Sequence, residues 1–426
     1  MESPKQKVVA LAAMLAFIPP SALATNGYFA HGYGMKSKGM AGVGVALPQD
    51  AIAASANPAG MALIGNRLDF GLDLFSPQRE AERDVDGRTF DANDEDLFFI
   101  PEFGYNRMLD ERRAVGVSVY GNGGLNTAYN NNPYTPTGVS DDTGVDLAQL
   151  FIAPTYAMKI NEQHTVGVSV NLAYQRFKAE GLNTAGFNQL STEPDSVSNN
   201  GYDDSFGYGF SLGWIGQVTP KVRLGAMYRS RTWMDEFDDY SGLFAEDGDF
   251  DIPETYGVGI AVEATPEVTV AFDIQQINYS SVDAIANDIS PAFEQCFGAL
   301  QATGQPSDNC LGGSSGPGFG WEDITVYKLG VAYQWRPDIL VRAGWNHGDQ
   351  PIPSSETTFN ALAPGVIEDH LTLGATWTLA NDSELTVSYM HAFENTVDAG
   401  DAPPGLSGYD LTMYQDSLGV AWGWEY

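Results

Sequence analysis

The chain alternates. Across residues 165–175, Val166, Val168, Val170, Leu172 and Tyr174 are separated one by one by Thr165, Gly167, Ser169, Asn171, Ala173 and Gln175. A period of two puts every large apolar side chain on one face of an extended strand and small or polar ones on the other. The pattern returns at 208–214, 256–262, 327–335 and 371–379. A soluble sandwich also alternates, so two further features decide. Aromatic residues stand at the ends of the apolar faces, as in the two interfacial girdles of an outer-membrane barrel. The connections also alternate in length. Short turns lie near 108–111, 161–163, 219–220, 265–266, 337–338 and 381–383, and long segments cover roughly 76–96, 122–146, 178–205, 233–252, 280–322, 347–368 and 395–410. Short periplasmic turns and long outer loops in strict alternation predict an all-β fold, a transmembrane barrel of fourteen antiparallel strands with both ends on the periplasmic side. The final apolar face, Leu418, Val420, Trp422, Trp424 and Tyr426, predicts a last full strand. Closure needs one, because an open edge in lipid leaves backbone groups unsatisfied. Tyr426 also resembles the terminal aromatic signal of outer-membrane assembly machinery, an expected partner.

The first 24 residues follow a different rule. Lys5 and Lys7 precede an apolar run, and Ala22-Leu23-Ala24 closes it with small residues. This is the order of a secretory signal peptide, too short as a helix for the hydrocarbon core. The expected organisation is a signal peptide over 1–24, an N-terminal hatch over 25–66 and the barrel over 67–426. The hatch segment is rich in Gly and Ala, shows no barrel alternation and has few large apolar residues for a core of its own. A plug inside the lumen is the expected reading, with a loose periplasmic tail as the alternative. A second break lies at Gly121-Asn122-Gly123-Gly124, which follows the clean alternation of 115–120. Glycines in a strand mark bulges or bends. An inward bend here would cost the neighbouring strand its partner and open the wall; an ordinary strand end is the alternative.

Composition narrows the chemistry. With 21 Lys+Arg against 55 Asp+Glu, the net charge of the 426 residues is -34, which excludes phosphate-backbone partners. The five histidines are scattered and form no metal motif, and two cysteines cannot build the usual Cys-based zinc site. Gly209-Phe210-Ser211-Leu212-Gly213 fits a nucleophile pattern, but Ser211 falls mid-strand rather than on a strand-to-helix turn. No catalytic residue and no cofactor are expected. Cys296 and Cys310 stand in the longest loop, where an exported protein is expected to form a disulfide. The acidic runs 91–96 and 246–251 read as solvated outer loops, with Ca²⁺ or Mg²⁺ bridging to lipopolysaccharide as the alternative.

Short matches then accumulate in order: Asn57-Pro58-Ala59-Gly60, Gly116-Val117-Ser118-Val119 running into Gly124-Leu125, Met227-Tyr228-Arg229-Ser230, Ile252-Pro253-Glu254, Asp349-Gln350-Pro351-Ile352-Pro353 and Val387-Ser388-Tyr389-Met390-His391. Together they resemble the FadL/TodX family of outer-membrane transporters for long-chain fatty acids and hydrocarbons. The resemblance implies a hatch, a kinked third strand and lateral release through the kink. It places Gly121, Gly123 and Gly124 at the kink, Asn57, Pro58 and Ala59 at the hatch end, and Tyr28 and Phe29 near an inner binding site. Where the fatty-acid archetype carries loop cations, this chain has Gly181 and Pro317, leaving Arg176 and Lys178 as possible head-group contacts. The expected function is passive uptake of hydrophobic molecules by a monomer surrounded by outer-membrane lipid and lipopolysaccharide. Neutral hydrocarbons stand beside fatty acids, because acidic loops repel carboxylates. The alternatives are a diffusion porin for polar solutes and a lipase-type barrel.

Overall fold

The computed structural model describes residues 26–136, 140–380, 382–403 and 405–426. The expected signal peptide and the turn residue Asn381 fall outside them. Fourteen strands form the barrel: β1 Arg67–Arg83, β2 Phe98–Met108, β3 Arg113–Asn131, β4 Ser140–Lys159, β5 His164–Glu180, β6 Asp203–Thr219 and β7 Val222–Arg229, followed by β8 Thr255–Thr265, β9 Val268–Ile277, β10 Ile324–Arg336, β11 Ile339–Gly348, β12 Asp369–Thr378, β13 Ser383–Val397 and β14 Tyr409–Glu425. Each pairs antiparallel with the next, and β14 returns to β1 from Arg67↔Glu425 to Arg83↔Tyr409, closing the sheet. Two short strands, Arg88–Asp91 and Trp233–Met234, belong to loops.

Alternation now has a spatial meaning. In β5, Val168, Val170 and Leu172 are 41%, 49% and 47% exposed, while Ser169 and Asn171 are 1% exposed. The apolar face is the lipid-facing one, and the polar face turns to the lumen. Three strands run further outward than their hydrophobic pattern predicts. β1 continues to Arg83, β3 to Asn131, and β4 begins at Ser140, so the loop between β3 and β4 is far shorter than the predicted 122–146. Above the bilayer neither face of a strand needs to be apolar, and the alternation signal vanishes while the backbone ladder continues. The aromatic residues also divide differently from a simple girdle. Phe177, Phe244, Phe250, Tyr279, Phe293 and Trp321, with others, are buried among loops and lumen residues.

Residues 26–66 lie against the inner wall. They contain a single helical turn, Met35–Lys38, and 3₁₀ turns at Ala53–Ser55 and Pro58–Ala62. Wall glycines permit the contact. A Cβ on Gly104 would come within 2.5 Å of the Ala51 carbonyl, and one on Gly344 within 2.6 Å of the Ala41 nitrogen. Wall carboxylates supply the polar anchors. Asp273 accepts the Gly44 and Val45 amides at 2.7 and 3.0 Å, Glu102 those of Gly34 and Met35 at 3.0 Å, and Asp69 that of Ala51 at 2.9 Å. Lys38 pairs with Asp73 at 2.5 Å and Lys36 with Glu384 at 2.6 Å. A segment too poor in large side chains to make its own core is therefore held by hydrogen bonds to its backbone. Such bonds gain strength where water is excluded.

Candidate functional site

Three features line up between the outer loops and the barrel wall. The outermost is a crevice lined by Val145, Phe177, Leu182, Phe187, Phe244 and Phe359, among other apolar residues. About 430 Å³ of space lies between these side chains, part of it open to solvent. The surface suits an apolar guest. The longest of these loops is tied by the Cys296–Cys310 disulfide.

Below it lies an aromatic cluster around the start of the N-terminal segment. Tyr28 stacks on Phe29 at 5.0 Å and meets Tyr279 at 5.5 Å, Trp321 at 5.9 Å and Phe250 at 6.3 Å. Phe250 also meets Phe244 of the crevice at 4.8 Å, so one ring touches both places.

Phe250 sits between two loop carboxyls, Asp249 and Asp251. Asp251 accepts the Met234 amide at 2.7 Å and pairs with Arg231 at 3.2 Å. Among the described residues no cation pairs directly with Asp249, and burial together with the Asp251 charge pushes its pKa up to about 7. The folded loop therefore holds a proton that the unfolded chain has released by about pH 4, and its stability must fall as pH rises from about 4 to 7. Hydrogen exchange of 245–252, corrected for intrinsic rates, is expected to quicken across that interval and to lose the dependence in Asp249→Asn.

The third feature is the wall itself. β2 and β3 pair from Met108↔Ala114 only as far as Phe103↔Val119, although β3 continues twelve residues further along β4. A bulge interrupts the β4 side between Gly121 and Gly123. Asn122 leaves the wall and becomes a hub. Its carbonyl accepts from the Tyr33 hydroxyl at 3.1 Å, and its Oδ1 accepts from Tyr33 at 3.0 Å and from Arg229 at 3.1 Å. Its Nδ2 donates to Gln149 at 3.0 Å; Gln149 donates to Gln175 at 3.0 Å, and Gln175 to the Phe250 carbonyl at 2.7 Å. Arg229 is buried, and its Nη2 donates to the Ser55 carbonyl at 2.5 Å and the Tyr120 hydroxyl at 3.1 Å. Its guanidinium faces the rings of Phe151, Tyr33 and Tyr120 at 5.4, 5.8 and 5.8 Å.

A barrel whose wall pairing stops part-way, beside an internal segment and an aromatic cluster, is a specific arrangement. Residues 15–423 match the family model described as outer membrane protein transport protein (OMPP1/FadL/TodX). The chain belongs to this family. It is 22% identical over 407 residues to the long-chain fatty acid transport protein of Escherichia coli O6:H1, covering 88% of this chain and 87% of the relative. The fold is similar to the crystal structure of the Pseudomonas putida toluene transporter TodX, with TM-score 0.68, 18% identity, and 93% and 99% of the two chains covered. A Pseudomonas aeruginosa FadL homologue gives TM-score 0.69 at 14% identity, covering 94% and 99%. As a FadL/TodX family member, the chain is a protein of the Gram-negative outer membrane, and these relatives are transporters rather than enzymes.

Tyr28 and Phe29 are in the aromatic cluster, and Gly121, Gly123 and Gly124 lie where β3 departs from β2. Asn57 caps its turn by accepting the Ala59 amide at 3.1 Å, and it donates to the carbonyls of Val45 at 2.7 Å and Trp214 at 3.1 Å. Pro58 and Ala59 press on Gly167 of β5. Arg176 stands over the Tyr202 ring at 4.5 Å and 3.7 Å from Asp146, while Lys178 pairs with Glu180 at 2.9 Å. Pro317 and Leu182, which follows Gly181, line the crevice. Ser211 is buried and accepts from Asn171 at 2.8 Å. Sequence reasoning passed over Asn122, Gln149, Gln175 and Arg229. Their signal is a long polar side chain at an inward position: Gln149 and Gln175 face each other across β4 and β5, and Arg229 stands between Ser211 and Thr255.

Proposed function

We propose that this protein is a channel for passive uptake of hydrophobic molecules, hydrocarbons first and long-chain fatty acids second, with residues 26–66 as its plug. The guest settles in the crevice, moves to the aromatic cluster around Tyr28 and leaves sideways into lipid past the bent β3. The observation that carries this reading is the end of wall pairing at Phe103↔Val119, on the level of the aromatic cluster. A closed wall would force an apolar guest into water at its exit. Transfer from water to the apolar crevice supplies roughly 0.8 kcal/mol per buried CH₂, so no energy source is required.

Substrate preference follows from charge. The crevice lining carries no ionic side chain, and the nearby cations Arg176 and Lys178 already face Asp146 and Glu180. A carboxylate arriving there must compete with those partners for a charge-assisted bond. The names of the relatives, a toluene transporter and a long-chain fatty acid transport protein, bracket the same range. The test is uptake of labelled toluene, hexadecane and oleate by a strain lacking the gene, with and without the restored protein. Toluene or alkane uptake several-fold above the deletion background is expected, exceeding the gain for oleate; no gain with any of the three overturns the proposal.

A further inference from the structure

Between Val119 and Ala128, the edge of β3 that should face β2 has no wall partner, and in lipid such an edge is costly. Part of that edge is nevertheless paired from inside the barrel. The Ala30 amide donates to the Asn122 carbonyl at 3.1 Å, the Gly124 amide donates to the Tyr28 carbonyl at 3.1 Å, and Phe29 bridges antiparallel to Gly123. Higher up, the Ala128 amide donates to the Ala92 carbonyl at 3.0 Å, from the loop between β1 and β2. Pro101, which has no N–H to offer, lies in the stretch of β2 that lost its β3 neighbour. Asn122 fixes the arrangement from the other side, through Arg229, Tyr33 and Gln149.

From this we infer that residues 28–30 serve as a surrogate strand: they occupy the β3 edge that β2 would otherwise take, and with Asn122 as the positioning residue they hold the side opening open. The opening is then a competition between two partners for one backbone edge. Register tells what the losing state looks like. Extending Phe103↔Val119 by two residues sets Pro101 opposite Gly121, and by three sets Ile100 opposite Asn122, both of which are buried inward positions. The sheet could therefore zip without turning any side chain to the wrong face. The purpose assigned to the opening rests on the lateral-release reading; the surrogate pairing does not.

A cysteine pair reads the competition directly. Pro101→Cys with Gly121→Cys forms a disulfide on copper–phenanthroline oxidation only if the two Cα atoms come within about 7 Å. In the full chain, crosslinking in outer membranes is expected to be low. It is expected to rise at least five-fold when residues 26–30 are deleted, and likewise in Ala30→Pro, which removes one N–H and leaves the rest of the segment in place. Adding Asn122→Ala should act in the same direction, whereas Asn122→Asp, which keeps the oxygen bonded by Arg229 and Tyr33, should stay near the parent value. Equal crosslinking in parent, deletion and Ala30→Pro overturns the inference. Oxidation needs no substrate, so this result stands apart from uptake: a rise in crosslinking with unchanged uptake would keep the surrogate strand and remove lateral release instead.

Discussion

Uptake of toluene is expected to fall at least tenfold when Gly123 and Gly124 are both replaced by valine, with the barrel still inserted and folded at the surface. The cause is steric and local. A Cβ on Gly123 would collide with the Tyr28 carbonyl oxygen, the atom that accepts the Gly124 amide. No rotamer relieves that collision, because backbone geometry alone fixes the Cβ and the atom it meets is a backbone oxygen. The N-terminal strand must withdraw, and β-branched residues at the same time favour regular pairing with β2. The rest of the barrel has no reason to change, since β3 and β4 remain paired along their length. The check is uptake normalised to surface protein, with heat-modified gel mobility reporting the fold. Parent-level uptake by a folded double variant would show that the bend has no part in transport.

The second large effect concerns ions. The intact protein is expected to give no large, steady single-channel current in planar bilayers, whereas a variant lacking residues 26–64 should conduct steadily, by an order of magnitude or more above the parent. A barrel of this strand number is too wide for wall side chains alone to fill. Among the inward positions facing the segment are glycines such as Gly104, Gly344 and Gly374, which leave space when the segment is gone. Removal also frees Asp73, Glu102 and Asp273 from the lysine and amides they hold, so the opened lumen would gain uncompensated carboxylates and should favour cations. A large steady current from the intact chain would instead favour a diffusion porin.

Strand number, closure and the lipid-facing face were legible because each rests on one local rule. Val168 and Ser169 differ in the same way as any neighbouring pair within the membrane, and the rule repeats fourteen times. The outer extensions of β1 and β3 were not legible, since a ladder above the bilayer leaves no mark in hydropathy. The glycines of 121–124 announced a departure from regular pairing, but not where the freed backbone would go. That depends on Tyr28 and Ala30, ninety residues earlier in the chain, and on Arg229, a hundred residues later. A single inward Arg in Met227-Tyr228-Arg229-Ser230 says that something polar waits in the lumen without naming it. The acid-rich wall was similarly half-visible. Asp273 reads as one more inward polar residue until the Gly44 and Val45 amides appear against it.

The outer crevice sets how traffic through such a molecule must be counted. With about 430 Å³ between its side chains, it is a small compartment rather than a wide hole. Flux through a hole scales with its width and with the concentration outside. Flux through a small compartment is limited by how fast each guest leaves it. Unlike hydrophobes then compete for the same place, and a scarce one is slowed by an abundant one even where both fit equally well.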